Sequence, residues 1–162
     1  MAGNVLRMWF YQRPEPVSMP ILREDYEELV ERLKQLAMGN RGIPGYLLFK
    51  LSDQAAILVG VSELAALQCL DQAGAKVPEV DGAKLYLRTL PEPIEVRFHE
   101  LGPFADLVEE MVDSDYEHPP QGCVMMPDSD GNSIFFRPDD VHFMLFNASY
   151  LERKAYKPQL DH

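Results

Sequence analysis

Apolar residues in this chain are gathered in short runs, and each run is closed by a polar turn or by proline. Residues 5–11 form a dense apolar and aromatic run that stops at residues 13–16, where two prolines prevent a regular element from continuing. Residues 46–51 and 55–61 form two further runs, joined by three polar residues. Runs of this length suit strands, so the pattern predicts a first strand, a hairpin and a sheet-based core.

Three more segments have strand character. Residues 94–99 alternate apolar with polar side chains, which predicts a strand with one buried face and one wet face. The sequences CVMM and SIFF flank a polar tip at residues 128–132 and predict a second hairpin. The apolar run at residues 141–146 predicts a last strand.

Other segments follow the helical period, in which apolar residues recur every three or four positions. In residues 21–37 this face consists of Tyr26, Leu29, Val30, Leu33, Leu36 and Ala37, and the helix is predicted to end by Gly39. A second helix is predicted to start at Pro103 and to bury Phe104, Leu107, Val108 and Met111. A third, shorter helix is predicted from its N-cap Ser62 to Ala73, with Leu64, Leu67 and Leu70 facing inward.

Strand-like runs outnumber these helices, and the helices are interspersed among them. This order predicts the α+β class: a single compact domain with a mainly antiparallel sheet and two or three amphipathic helices. A chain of 162 residues, 46% of them apolar, can bury a normal core. We expect the domain to span residues 1–152 and residues 153–162 to form a partly mobile tail.

The cysteines and the absence of a sorting signal indicate the compartment. Cys69 and Cys123 are too few for a disulfide framework, and both are expected to be small core residues. The N-terminal residues show no secretion signal, and no stretch approaches the ~18 apolar residues of a membrane span. These features predict a cytoplasmic protein with no membrane partner.

The net charge of −11 arises in one segment, residues 91–140. This segment holds 13 acidic side chains against Arg97 and Arg137, while the rest of the chain has 13 residues of each sign. Such a local negative field repels phosphates and attracts cations or basic proteins. Nucleic-acid binding is therefore not expected.

A non-catalytic binding or regulatory role is the first functional hypothesis, with a basic protein surface as the partner. Charge would speed the encounter, and aromatic and methionine side chains would anchor the complex. The predicted anchors are Tyr116, Phe135, Phe136, Met125 and Met126. The predicted partner-binding residues are Glu109, Glu110, Asp113, Asp115, Tyr116 and Glu117. The alternative is a solvated acidic face without a partner.

No cofactor is expected from the sequence, and the alternative is a bound divalent cation. Asp128, Asp130 and Asn132 imitate the spacing of a calcium loop. Ser133 stands where the turn glycine belongs, and turn chemistry within a hairpin explains the same residues. The candidate metal-binding residues are Asp128, Asp130, Asn132, His99 and His142. The alternative for the two histidines is a solvated imidazole on the polar face of a strand.

Residues 124–137, VMMPDSDGNSIFFR, resemble the last hairpin of the glyoxalase and bleomycin-resistance family. Membership would imply paired βαβββ modules in a small-molecule-binding protein or a metal-dependent enzyme. In that family a metal-binding glutamate lies three residues beyond the turn asparagine, where this chain has Phe135. The resemblance therefore implies the fold without that metal ligand.

Residues 84–94, KLYLRTLPEPI, resemble the central helix of Rho-family GTPase-activating domains, which are all-helical. That resemblance implies an arginine finger that stabilises charge on the transferring phosphate. The corresponding segment here is LLFKLS, with Lys50 in place of the arginine, and lysine lacks the planar fork. A Rho GTPase-activating-like fragment is the remaining functional alternative.

Overall fold

Five antiparallel strands form the central sheet of the protein. The computed structural model describes residues 4–39, 42–71, 76–88, 90–98, 101–118, 120 and 122–151. Across the sheet the order is β3 (Tyr46–Lys50), β4 (Ala55–Gly60), β10 (Val141–Asn147), β6 (Ala83–Leu87) and β7 (Ile94–Val96). Every neighbouring pair is antiparallel. The strand that comes last in the sequence therefore lies in the middle of the sheet.

The two innermost strands, β4 and β10, are buried on both faces. Leu58 of β4 and Met144 of β10 are neighbours that face one core, while Ile57 and Leu145 face the other. A strand covered on both sides has no wet face, so its sequence reads as a continuous apolar run. This explains why residues 55–60 and 141–146 contain so few polar side chains.

One face of the central sheet is covered by helix α2 (Leu101–Asp113) and by a hairpin of β8 (Val124–Pro127) and β9 (Ser133–Phe136). The ring of Phe104 from α2 meets that of Phe146 from β10 edge to face, with centroids 5.2 Å apart. Met126 and Phe136 bury the inner side of the hairpin in the same core. Contacts of this kind fix α2, and with it the surface that α2 presents to solvent.

The other face is covered by a second, three-stranded sheet and by helix α1 (Arg23–Ala37). The order of this sheet is β2 (Val17–Ile21), β1 (Asn4–Phe10) and β5 (Leu64–Leu70). Phe10 of β1 stacks on Phe143 of β10, with ring centroids 5.0 Å apart. Pro20 is tolerated in β2 because an edge strand can leave one side of its backbone unpaired. The molecule thus has two hydrophobic cores, one on each side of the central sheet.

The predicted fold class is confirmed: the described residues form one compact α+β fold with antiparallel sheets. The hairpins at residues 46–60 and 124–136, the strand at residues 141–147 and helix α1 all form as expected. None of the described helices is both long enough and apolar enough to cross a membrane. The predicted tail at residues 153–162 lies outside the described residues.

The short helix predicted from Ser62 to Ala73 is wrong. Residues Val61–Glu63 form a single 3-10 turn, and Leu64–Leu70 continue as strand β5. Strand β5 pairs along its length with β1, from Phe10 opposite Leu64 to Val5 opposite Leu70. The leucine spacing fits a helix, but pairing with a strand more than fifty residues away decides the conformation.

Candidate functional site

Helix α2 carries its acidic residues on the side that faces away from the core. Its inner side is buried, and Phe104, Val108 and Met111 are almost inaccessible to solvent. The helical period then places a stripe of exposed acidic residues on the outer side. The stripe consists of Asp106, Glu109, Glu110 and Asp113.

The segment after α2 extends this acidic stripe and adds two apolar side chains. Asp115 and Glu117 are exposed, and Tyr116 between them is 45% exposed. The Tyr116 amide donates to the Ile43 carbonyl oxygen over 2.8 Å, which holds this segment beside Ile43, itself 47% exposed. We refer to these residues together as the acidic surface; its members are Glu109, Glu110, Asp113, Asp115, Tyr116, Glu117 and Ile43. All six residues predicted to bind a partner thus lie exposed and next to one another in the fold.

Three carboxylates of the acidic surface have no basic partner in the part of the chain that the structure describes. Among the residues that the structure describes, Glu110, Asp113 and Glu117 form no ion pair with lysine or arginine. Asp115 accepts hydrogen bonds from the His118 ring and backbone at 2.9 and 2.8 Å, and the ring bond lowers the pKa of this carboxyl group. Carboxylates at the C-terminal end of a helix also face the negative end of its dipole. Their position therefore disfavours the fold slightly.

Several other acidic residues of the 91–140 segment lie elsewhere and form ion pairs. Glu95 pairs with Lys84, Asp139 with Arg137, and Asp140 with Arg88. The side chain of Asp128 accepts hydrogen bonds from two backbone amides of its own turn. The fold thus distributes the charge that the sequence concentrates in one segment, and only part of it lies on the acidic surface.

The candidate metal-binding residues are not brought together by the described part of the chain. Asp128, Asp130 and Asn132 share one turn, in which an oxygen of Asp128 is already bonded to the amides of Asp130 and Asn132 at 2.9 and 2.8 Å. His142 contacts the core on the opposite side of the central sheet, and His99 lies outside the described residues. Within the described residues, no three His, Cys, Asp or Glu side chains are grouped as metal ligands.

His142 is buried, so the expectation of a solvated imidazole on a polar strand face is wrong for this residue. Its side chain is 1% exposed and stacks on Phe10, with ring centroids 5.6 Å apart. Its Nδ1 accepts a hydrogen bond from Nε of Arg13 over 2.9 Å. The guanidinium group can only donate, so the imidazole is neutral and carries its proton on Nε2. That buried Nε2 has no hydrogen-bond partner among the described residues.

Arg13 is held in place from several sides. Its Nη2 donates to the carbonyl oxygens of Leu87 and Leu90, both at 3.3 Å. The guanidinium carbon lies 5.4 Å from the centre of the Tyr86 ring and 5.8 Å from that of Phe143. Burial lowers the pKa of Arg13, and burial followed by the Arg13 charge lowers the pKa of His142. Arg13 and His142 line a cleft of about 440 Å³ with residues 12–17, Leu90 and Pro91, which we call the Arg13–His142 cleft.

A second buried charge, Glu63, lies next to this cleft. Glu63 is 6% exposed and accepts a hydrogen bond from Nε of Arg88 over 2.8 Å. The hydrogen bond to Glu63 raises the pKa of Arg88. Arg88 also donates a hydrogen bond to the backbone oxygen of Asp139. Sequence patterns did not single out Arg13, Glu63 or Arg88. The signal in the sequence that points to this site is His142, which interrupts an otherwise apolar run. A histidine in a strand buried on both faces cannot be solvated and therefore needs a polar partner within the protein.

The predicted hydrophobic anchors divide into two groups. Met125 and Phe135 face each other across the outer side of the β8–β9 hairpin and are 59% and 68% exposed. Met126 and Phe136 point the other way and are buried, so they are wrong as anchors. Cys123 is exposed rather than a core residue, and Cys69 is half-buried; both thiols are free.

Comparisons with protein-family models, with curated proteins and with solved structures found no match. The likeness to Rho GTPase-activating domains implies a helix at residues 84–94, and the described part of this segment, residues 84–88 and 90–94, contains none. These described residues lie in β6, in turns and at the start of β7. The functional argument must therefore be made from the geometry of the chain itself.

Proposed function

We propose that this protein is a non-catalytic binding or regulatory module that engages a basic segment of a partner protein through the acidic surface. The observation that carries the proposal is a set of exposed carboxylates, Glu110, Asp113 and Glu117, that have no arginine or lysine partner within the described ranges. They belong to the same surface as the exposed side chains of Tyr116 and Ile43. Unmatched charge with an apolar centre suits recognition of a lysine- or arginine-rich segment.

The two components of the surface have different tasks. The carboxylates raise the rate at which a cationic segment arrives, since opposite charges steer diffusional encounters. Tyr116 and Ile43 offer apolar area that a bound segment can cover, and aromatic side chains of this kind dominate binding energy at many interfaces. The surface thus provides for both the rate and the lifetime of a complex.

The placement of the carboxylates supports a role in binding over a role in stability. Glu110 and Asp113 lie in the last turn of α2, where lysine or arginine would stabilise the helix. Residues that slightly oppose the fold are often retained for function. The free thiols of Cys69 and Cys123 suit a reducing compartment such as the cytoplasm, which we propose as the location.

A lysine-rich peptide with one central leucine, labelled with fluorescein, tests this function by fluorescence anisotropy. We expect the triple variant Glu110→Gln, Asp113→Asn and Glu117→Gln to bind about tenfold more weakly, mainly through a slower association rate. Raising the salt concentration should weaken the wild-type complex, because exposed charges are screened.

The matched control removes three exposed carboxylates from other parts of the molecule: Glu28→Gln, Asp53→Asn and Asp71→Asn. Both triple variants change the net charge equally. A general charge effect would weaken binding to the same degree in both, and that result would refute a specific role of the acidic surface. A second pair of variants tests the apolar anchor. Tyr116→Ala should weaken peptide binding, whereas Tyr11→Ala, at an exposed tyrosine outside the acidic surface, should not.

A further inference from the structure

The Arg13–His142 cleft contains a cation, Arg13, that has no carboxylate partner within the described ranges. Among the described residues, Arg13 forms no salt bridge, although it is partly buried. Charged side chains that leave water are normally paired. Arg13 is instead satisfied by the neutral His142 ring, by two backbone oxygens and by aromatic rings. These contacts position the guanidinium group without neutralising its charge.

The hydrogen bonds of Arg13 leave one side of the group unused. A guanidinium group has five N–H donors. Nε donates to His142, and Nη2 donates to Leu87 and Leu90. The two donors of Nη1 have no acceptor among the described residues. Arg13 therefore enters the cleft with its charge and with a pair of donors still available.

The walls of the cleft are apolar and stiff. Pro14, Pro16 and Pro91 line it together with Val17 and Leu90. Proline fixes its own backbone torsion, so these walls keep their shape without a ligand. Gln12 at the entrance has a positive φ of 69°, a conformation that non-glycine residues rarely adopt and that often accompanies binding sites. Small-molecule sites share this composition: a mostly apolar cavity with a few fixed polar groups.

We propose that the Arg13–His142 cleft binds a small organic carboxylate. The carboxylate would accept hydrogen bonds from Nη1 of Arg13, and the body of the ligand would lie against the proline walls. Arginine matches a carboxylate geometrically because both groups are planar and present paired atoms. A singly charged anion is favoured over phosphate, because Glu15 lines the same cleft and repels a second negative charge.

Sodium benzoate is a suitable probe, with benzamide as its uncharged match and inorganic sulfate as the doubly charged comparison. We expect benzoate to shift the side-chain Nε–H signal of Arg13 in ¹H–¹⁵N NMR spectra of the wild-type protein, with a Kd on the order of 1 mM. Benzamide and sulfate should bind about tenfold more weakly or not at all, because benzamide has no charge and Glu15 repels the second charge of sulfate.

Two arginine variants separate a specific site from general attraction to the protein. Arg13→Gln should lose at least about tenfold in benzoate affinity, whereas Arg7→Gln, at a half-buried arginine of β1 outside the cleft, should lose none. Equal binding of benzoate and benzamide, an equal loss in both variants, or no shift of the Arg13 signal with excess benzoate would overturn the proposal. The last measurement uses wild-type protein, so the result does not depend on whether Arg13→Gln folds.

Discussion

The acidic surface and the Arg13–His142 cleft lie on opposite sides of the central sheet, and each contains charges that have no ion-pair partner among the described residues. In the acidic surface the charges are exposed to solvent on α2 and on the segment after it. In the cleft the charge is held by an imidazole, two carbonyl oxygens and two aromatic rings. The comparison teaches that the charges of the acidic surface contribute little to the stability of the fold, whereas the charge in the cleft is held by contacts that the fold itself requires.

The largest expected difference concerns stability. His142→Ala removes a buried ring from its stack on Phe10 and leaves Arg13 Nε without an acceptor. We expect the free energy of unfolding to fall by about 3 kcal/mol. Asp113→Ala, on the acidic surface, should change it by less than about 0.5 kcal/mol. Urea unfolding followed by circular dichroism measures both values, and similar losses would mean that the two regions do not differ in this way.

A smaller loss is expected at the edge of the cleft. Glu63→Gln keeps the shape of a buried side chain but removes the charge that Arg88 contacts. Because the Arg88 side chain is 40% exposed and also contacts Asp140, we expect a loss of about 2 kcal/mol rather than the full cost of an isolated buried charge. The matched variant Glu27→Gln breaks an exposed pair with Arg23 and should cost less than about 0.5 kcal/mol. Equal costs in urea unfolding would contradict the distinction.

The cleft should also make stability depend on pH. The pKa of His142 is lowered below 6.5 by burial and by the charge of Arg13, with a smaller lowering by Arg88; only Glu63 acts in the opposite direction. Below pH 6.5 the unfolded chain therefore binds a proton that the folded protein excludes, so stability is complete above that pH and is lost as pH falls. Melting temperatures measured from pH 8 to pH 5.5 should decline less in His142→Asn than in the wild type.

The control for this pH dependence is His118, which lies beside the acidic surface and not in the cleft. His118 is exposed, and its ring bonds to Asp115 of the acidic surface. His118→Asn should leave most of the decline in place. If it flattens the profile as much as His142→Asn does, the buried imidazole is not the source.

The smallest expected effect is a gain in stability. Glu110→Lys and Asp113→Lys place positive charge at the C-terminal end of α2, where the helix dipole favours it, and each should stabilise the fold by about 0.3 kcal/mol. The same variants should weaken binding of the lysine-rich peptide. Glu28→Lys, within α1, serves as the comparison and should give no such gain. A loss of stability in both α2 variants would show that their carboxylates have partners.

Local sequence patterns predict the helices and hairpins that are stabilised by residues close together in the sequence. Helix α1 repeats its apolar residues at helical spacing, and the β8–β9 hairpin is closed by an aspartate and glycine turn, in which Asp128 bonds to its own backbone. The stripe on α2 follows from the same period, so the partner-binding residues were found together. Whether they bind a partner stays a prediction.

Elements that depend on distant partners were not predictable in this way. The leucines of β5 satisfy a helical spacing, and only pairing with β1 reveals that these residues form a strand. Pro20 argues against a strand at β2 unless that strand lies at an edge. Arg13 and His142 are 129 positions apart, and no local pattern joins them. The burial of β10 on both faces is what places the His142 ring in the core.

Because β10 lies between β4 and β6, the order of synthesis matters for this molecule. A chain emerging from the ribosome can form the β3–β4 hairpin early, yet both halves of the central sheet keep an open edge until Asn147 has emerged. Open apolar edges of this kind recruit other chains. A protein truncated before Val141 should therefore aggregate instead of persisting as a smaller soluble domain.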